Sequence, residues 1–266
     1  MSTQPVEPHP SGLNRVAAQG FDTAGTAYER GRPDYPPEAV AALVRALGLG
    51  PERRVLDVGA GTGKLARRLR PSGAWVAAVE PVATMRAGLA RALPGLPLLG
   101  GAAEALPVGD GAVEGAVVGT AFHWFDGPLA LGELHRVLRP GGHLGLVWLA
   151  RDESVDWVAE LVRLVDGYKR GDPPRYTDGR WRRVFETTPL FGPLRESVYP
   201  FAHEADRETA LARVASTSFV GTLSAAERET VLRRVAGWLS SRSATRGRET
   251  LGLPYRADVY VSRRLD

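Results

Sequence analysis

The 266-residue chain contains no cysteine. That excludes disulfides, thiolate metal sites and a cysteine nucleophile. It is also poor in lysine: Lys64 and Lys169 are the only two, and the other 32 of its 34 basic residues are arginine. The net charge of +4 is mild, and acids are scattered among the arginines. No basic stripe interleaved with stacking aromatics is visible, which argues against a nucleic-acid partner. No apolar run approaches the roughly 18 residues that a membrane helix requires. The first ten residues lack both a basic n-region and a hydrophobic core, so they do not read as a signal peptide. A cytoplasmic protein that does not engage membranes is expected. With 44% hydrophobic and 24% charged residues, the chain can bury a sizeable core.

What is present centres on residues 55–64, Val-Leu-Asp-Val-Gly-Ala-Gly-Thr-Gly-Lys. A short β-branched strand runs into alternating glycines, and a helix follows. Glycines at 59, 61 and 63 let the backbone bend tightly and let a ligand approach the main chain. Glu80 closes the next apolar run, where an acid can accept two hydrogen bonds from a ribose diol. The pair points to an adenosine-containing cofactor. Spacing narrows the choice. A dinucleotide fingerprint is G-x-G-x-x-G, yet Lys64 occupies its third-glycine slot. A phosphate-binding P-loop would need glycine at 58 and a hydroxyl at 65, and the chain has Val58 and Leu65.

Strand and helix patterns alternate along the chain, which predicts an α/β fold with a mostly parallel sheet. Strands are expected at 55–58, 75–79, 98–100, 113–118 and 144–149, with helices at 37–47, 64–69, 83–92 and 129–138. Arg139-Pro140-Gly141-Gly142 reads as a helix stop and tight turn. Beyond Ala150 the rhythm changes. A helix is expected over 152–170 and an aromatic, arginine-rich cap over 171–193. A sixth strand follows at 195–201, then helices at 206–214 and 224–240 and a last strand at 258–262. The expected organisation is a disordered tail over 1–20 and a lid with Rossmann-like core over 21–150. A substrate-binding cap over 151–220 follows, and a closing helix and strand over 221–266.

Val-Leu-Asp-Val-Gly-Ala-Gly-Thr-Gly closely resembles the first motif of class I S-adenosylmethionine-dependent methyltransferases. That resemblance implies a seven-stranded Rossmann-like sheet with its last strand antiparallel, under a helical cap. It implies that Gly59, Ala60, Gly61 and Gly63 cradle the methionine end of S-adenosyl-L-methionine while Glu80 holds the ribose. Pro81 and Met85 would flank that acid. Gly101-Ala-Ala-Glu-Ala-Leu-Pro107 is similar to the segment edging the adenine, with Ala103 and Glu104 as its wall. Relatives often carry a polar residue where this chain has Ala102. Ala121 and Phe122 would complete the pocket. Tyr28 and Arg32 of the N-terminal segment would close over the cofactor, Arg32 facing its carboxylate.

Three stretches resemble a small-molecule branch that includes trans-aconitate-methyltransferase-like, type 11 proteins. They are Arg32-Pro33-Asp34-Tyr35-Pro36, His123-Trp124-Phe125 and Ser216-Thr217-Ser218-Phe219. Methyl transfer disperses charge and needs no metal, and no His and acid cluster stands at metal-ligand spacing. His123 is the candidate catalytic residue, as a base for a hydroxyl or amine, since its ordinary pKa lies near neutrality. With a carboxylate acceptor it would only orient the substrate. Trp124 is expected to wall the substrate pocket, and Arg175, Arg180, Arg182 and Arg183 would suit an anionic acceptor. The chain is therefore expected to methylate a small molecule, at oxygen first of all, as a monomer or homodimer. Two rivals stand beside that reading. One is a protein with the same pocket but cyclase or isomerase chemistry, and the other is a binding module without catalysis.

Overall fold

The computed structural model describes residues 31–171 and 174–266. Seven strands form one sheet in the order β3-β2-β1-β4-β5-β7-β6. These are β1 (Arg54–Val58), β2 (Trp75–Val79), β3 (Leu98–Leu99), β4 (Val113–Gly119), β5 (Leu138–Arg151), β6 (Arg195–Asp206) and β7 (Thr250–Arg263). β7 lies between β5 and β6 and is antiparallel to both. The pairs β1–β2, β1–β4, β2–β3 and β4–β5 are all parallel. The fold is thus the expected α/β sheet with an antiparallel last strand.

Parallel strands covered on both faces read as continuous apolar runs, and their side chains alternate between two cores. Val55, Val76, Ala78 and Val117 pack with α1 (Pro37–Ala46), α2 (Lys64–Leu69) and Leu89 of α3 (Ala83–Ala92). Leu56, Ala77, Ala116 and Val118 face the other way, onto α4 (Gly127–Val137) and the aromatics Trp148, Trp181 and Phe185. A third cluster joins α5 (Asp156–Asp166), α7 (Arg207–Ala215), α8 (Ser218–Gly221) and α9 (Ala225–Ser241) to Leu251, Leu253 and Tyr255 of β7. The expected division at residue 220 runs through this cluster, because α9 shares its buried face with α5 and α7. The short helix α6 (Arg183–Thr187) brings Phe185 to the second core.

Three strands are longer than the sequence suggests. β7 starts at Thr250 because Gly252 and Pro254, both turn-forming in isolation, are carried into the antiparallel ladder opposite Glu204 and Ala202. β6 continues to Asp206 for the same reason. The Arg139–Gly142 segment follows the end of α4 as expected, but it is a bulge inside β5 rather than a free turn. Val113 pairs with Leu138 and Gly115 with His143, and Gly141 absorbs the slip at φ +73°.

Among the described residues, no helix is long and apolar enough to cross a membrane. The carboxyl ends of β1, β2, β4 and β5 converge on one edge, where ligands of such sheets bind.

Gly63 both starts α2 and packs against α3. Its φ is +81°, and a Cβ there would lie 2.9 Å from Leu89 Cγ. Gly63→Ala is expected to lower the unfolding free energy by about 1–3 kcal/mol. Urea denaturation reads this out, and an unchanged midpoint would show that the loop and Leu89 adjust freely.

Candidate functional site

The glycine loop is pinned by the neighbouring strand. Gly59 and Ala60 donate their N–H groups to the Val79 carbonyl at 2.9 and 3.1 Å. Gly61 N–H donates to Glu80 Oε2 at 2.8 Å, and Val82 N–H donates to Oε1 at 2.9 Å. Gly59 and Gly61 sit at φ +69° and +56°, which a side chain would strain. A Cβ on Gly59 would also press within 3.2 Å of Ala121 and Phe125. Glu80 is 4% exposed, and burial pushes its carboxyl above the ordinary range against the pull of those two N–H groups and Arg86. Arg86 donates to the carbonyls of Glu80 and Pro81 at 2.8 and 2.6 Å, which fixes the turn after β2. Met85 is buried beneath the loop, its sulfur 3.7 Å from where a Gly61 Cβ would stand.

Asp57 belongs to this site and was not singled out from the sequence. It is fully buried in β1, and its Oδ2 accepts from Ala66 N–H at 3.0 Å. Oδ1 is buried without a partner, and the residue lines the cleft with Gly59, Gly61, Lys64 and Thr120. Burial raises its pKa to about 7. The visible signal is an acid inside an otherwise apolar strand, which is costly unless used.

The residues predicted from the sequence do not all converge. Gly59, Ala60, Gly61 and Arg32 line one cleft, with Glu80 holding the loop. Arg32 donates to the Ser216 carbonyl at 3.3 Å, and Lys64 Nζ donates to the Arg32 carbonyl at 2.7 Å. Those two bonds tie the N-terminal segment to both core and cap. Ala121 abuts the loop at Gly59. Ala103 is buried with the core, and Glu104 is engaged by Asp126 N–H at 2.8 Å. Phe122 is 1% exposed and packs edge-on to Phe125 and Trp181. Tyr28 lies outside the described residues.

A second cleft adjoins the first and shares Arg32, Thr120, Leu149 and Arg213 with it. His123, Trp124, Trp148 and Tyr176 line it further out. Thr120 marks the junction. It is the only non-glycine residue with positive φ among those described, at +54°, and its N–H reaches the Val147 carbonyl at 2.7 Å. A β-branched residue held there is strained, as is common where ligands are positioned.

The surroundings of His123 decide its chemistry. Trp148 Nε1–H donates to His123 Nδ1 at 3.1 Å. A neutral ring whose Nδ1 accepts carries its proton on Nε2, so the exposed nitrogen is a donor. Burial, reinforced by the charge of Arg32, lowers its pKa from 6.5 to about 3. The role of general base considered from the sequence therefore lacks the lone pair it requires. Trp148 is itself fixed by Tyr176 stacked at 4.7 Å and Trp181 at 4.3 Å. The Tyr176 hydroxyl bonds to Asp258 and, at 2.7 Å, to Tyr260. Among the described residues, no group of three His, Asp or Glu could hold a metal ion.

Comparison with known proteins agrees with this geometry. Residues 56–146 match the family model described as a methyltransferase domain. An uncharacterised methyltransferase of Mycobacterium tuberculosis is 42% identical over 91% of this chain and 94% of its own length. An uncharacterised methyltransferase-like protein of Schizosaccharomyces pombe is 32% identical over 82% of this chain and 84% of its own. A solved chain from Anaeromyxobacter dehalogenans, described as a type II methyltransferase, superposes with a TM-score of 0.64 at 24% identity. It covers 88% of this chain and 97% of its own.

The neutral His123 is testable by NMR, where its ring is expected to stay unprotonated from pH 8 down to about 4. Because the folded pKa lies below the unfolded one, the unfolded chain binds more protons between them. Stability is therefore expected to fall as pH drops from about 6.5 towards 3, and less so in His123→Gln. A ring titrating near 6.5 in the folded protein would refute the assignment. Sheet order, glycine loop and the match along nine-tenths of the M. tuberculosis relative agree, and the chain belongs to the class I methyltransferases.

Proposed function

We propose that the protein is an S-adenosyl-L-methionine-dependent methyltransferase acting on oxygen of a small-molecule acceptor. The observation that carries this reading is the state of Glu80. Each of its oxygens accepts one backbone N–H, from Gly61 and from Val82. A carboxylate has about four acceptor sites, so one on each oxygen is left for a ribose diol. Asp57 supplies an unsatisfied buried oxygen beside the loop, suited to an ammonium group. Arg32 lines the same cleft and suits the carboxylate end. These residues fit an amino-acid-bearing nucleoside, and Lys64 in the third-glycine slot does not fit a dinucleotide.

When bound, the cofactor supplies an electrophilic methyl group on a sulfonium. The chain's own contribution is alignment and exclusion of water. Thr120 and Leu149 stand where the two clefts meet. Trp124, Trp148 and Tyr176 wall the outer cleft against solvent. His123 Nε2–H orients the acceptor by donating a hydrogen bond, without taking a proton. Such a site acts alone or in a homodimer, and it needs neither a nucleic acid nor a membrane.

Glu80→Ala is expected to weaken binding of S-adenosylhomocysteine by about 1.5–3 kcal/mol, roughly 10–150-fold. Isothermal calorimetry measures it. Unchanged affinity would remove Glu80 from the site, and no binding to the wild-type protein would defeat the cofactor assignment altogether.

A further inference from the structure

A methyl group that leaves the cofactor's cleft for the acceptor's must cross where the two clefts join. Among the described residues, Arg32, Thr120, Leu149 and Arg213 line both. A sulfonium is positively charged, which polarises its methyl hydrogens into weak donors and disfavours cations beside it. Arg32 and Arg213 are therefore unsuited to touch that methyl, and Leu149 has no polar side-chain atom. Thr120 alone of the four brings a neutral side-chain oxygen. Among the described residues, that hydroxyl has no hydrogen-bond partner. The buried acid Asp57 lines the glycine-loop cleft only. The cap arginines add little to the field, since Arg175 is matched by Asp166 at 2.6 Å, Arg180 by Asp178 at 2.8 Å and Arg182 by Glu196 at 2.8 Å.

The backbone at Thr120 is held in an unfavourable state by its surroundings. At φ +54° it stands where glycine, asparagine and aspartate are tolerated and a β-branched side chain is strained. Three contacts fix the segment. Thr120 N–H donates to the Val147 carbonyl at 2.7 Å. The Tyr35 hydroxyl stands over Gly119, where a Cβ would lie 2.4 Å from it. Ala121 Cβ would lie 3.2 Å from a Cβ on Gly59. Residues 119–121 are thus locked between β5, the glycine loop and Tyr35. None of these contacts uses the Thr120 side chain, so a glycine at 120 would satisfy the same bonds without the strain. What the strain supports is the side chain itself.

We propose that Thr120 is a catalytic residue, its hydroxyl oxygen accepting weak C–H···O hydrogen bonds from the sulfonium methyl and aligning it towards the outer cleft. The left-handed backbone is what turns that oxygen to the junction. The inference rests on the methyltransferase reading above. In the transfer the S–CH3 bond breaks with its electron pair left on sulfur, while an acceptor oxygen supplies the pair of the new bond. Thr120 forms and breaks no covalent bond. Glu80 and Asp57 serve the ribose and the ammonium group, which S-adenosylmethionine and S-adenosylhomocysteine share. The Thr120 contact reads only the methyl, so it favours the loaded cofactor over the spent one.

The test titrates the full chain calorimetrically with S-adenosylmethionine and with S-adenosylhomocysteine, no acceptor being present. Thr120→Val removes the oxygen at nearly constant shape. It is expected to weaken S-adenosylmethionine about two- to fivefold and to leave S-adenosylhomocysteine unchanged. Thr120→Ser keeps the oxygen and should keep the wild-type ratio of the two affinities. Thr120→Gly should change the ratio as valine does, yet raise the thermal unfolding midpoint of the ligand-free chain by about 2–4 °C as the strain is relieved. Binding of S-adenosylhomocysteine shows in each case that the variant is folded. The proposal is overturned if Thr120→Val keeps the wild-type ratio or if Thr120→Ser shifts it as far as valine does. Equal weakening of both ligands would mark a merely structural residue and overturn it too. A Thr120→Gly chain that unfolds at or below the wild-type temperature would overturn the role given to the strain. Failure of the wild type to bind S-adenosylhomocysteine at all would instead overturn the cofactor reading.

Discussion

The bond from Gly61 N–H to Glu80 is the constraint on which the cofactor cleft depends. It joins the turn after β1 to the tip of β2, and the Val79 carbonyl beside it takes the N–H groups of Gly59 and Ala60. A buried carboxylate is costly unless its oxygens are satisfied. Glu80 is stabilised by the loop it shapes, so the loop conformation and the ionised acid support each other. This explains why three glycines are needed. The turn must be tight enough for an amide to reach the acid, and the φ values at 59, 61 and 63 all lie where L-residues are strained.

A second chain of contacts runs from β7 to the outer cleft. Asp258 and Trp148 stand opposite each other in the β5–β7 ladder. Asp258 holds the Tyr176 hydroxyl, Tyr176 stacks on Trp148, and Trp148 fixes the proton on His123 by donating to its other nitrogen. A ring held this way cannot easily rotate or change tautomer. The antiparallel last strand is thereby more than a sheet closure. It brings a buried acid from residue 258 into a network that sets the hydrogen-bonding sense of residue 123.

Much of the fold was legible because the parallel strands are apolar runs of β-branched residues bounded by turns. The positions of β1, β2, α2 and α3 follow directly from that pattern. The strand ends were not legible where turn chemistry is overridden by pairing. Pro254 and Gly252 mark a loop in isolation, yet twelve residues of β6 pair along that stretch of β7. The site divides in the same way. Its loop and Glu80 sit close in sequence and carry a recognisable spacing. Trp148 and Arg151 of β5 meet Arg213 of α7 only across the fold, and nothing local distinguishes these arginines in a chain with 32 of them. Phe122 and His123 are neighbours in one short segment, but the segment turns so that one enters the core and the other the cleft.

Arginine abundance makes the distribution of partners the informative quantity. An arginine beside an acid is already stabilised and adds little field to a cleft. Three of the cap arginines singled out by sequence are of that kind, and so their number says little about the acceptor. Arg151 and Arg213, both close to the Tyr255 phenol and neither in an ion pair among the described residues, repel each other. That arrangement persists in a folded protein only if packing elsewhere supports it, as the third apolar cluster does around Tyr255 and Val214. The glycine-loop cleft and the outer cleft meet at Thr120, where the backbone itself is strained.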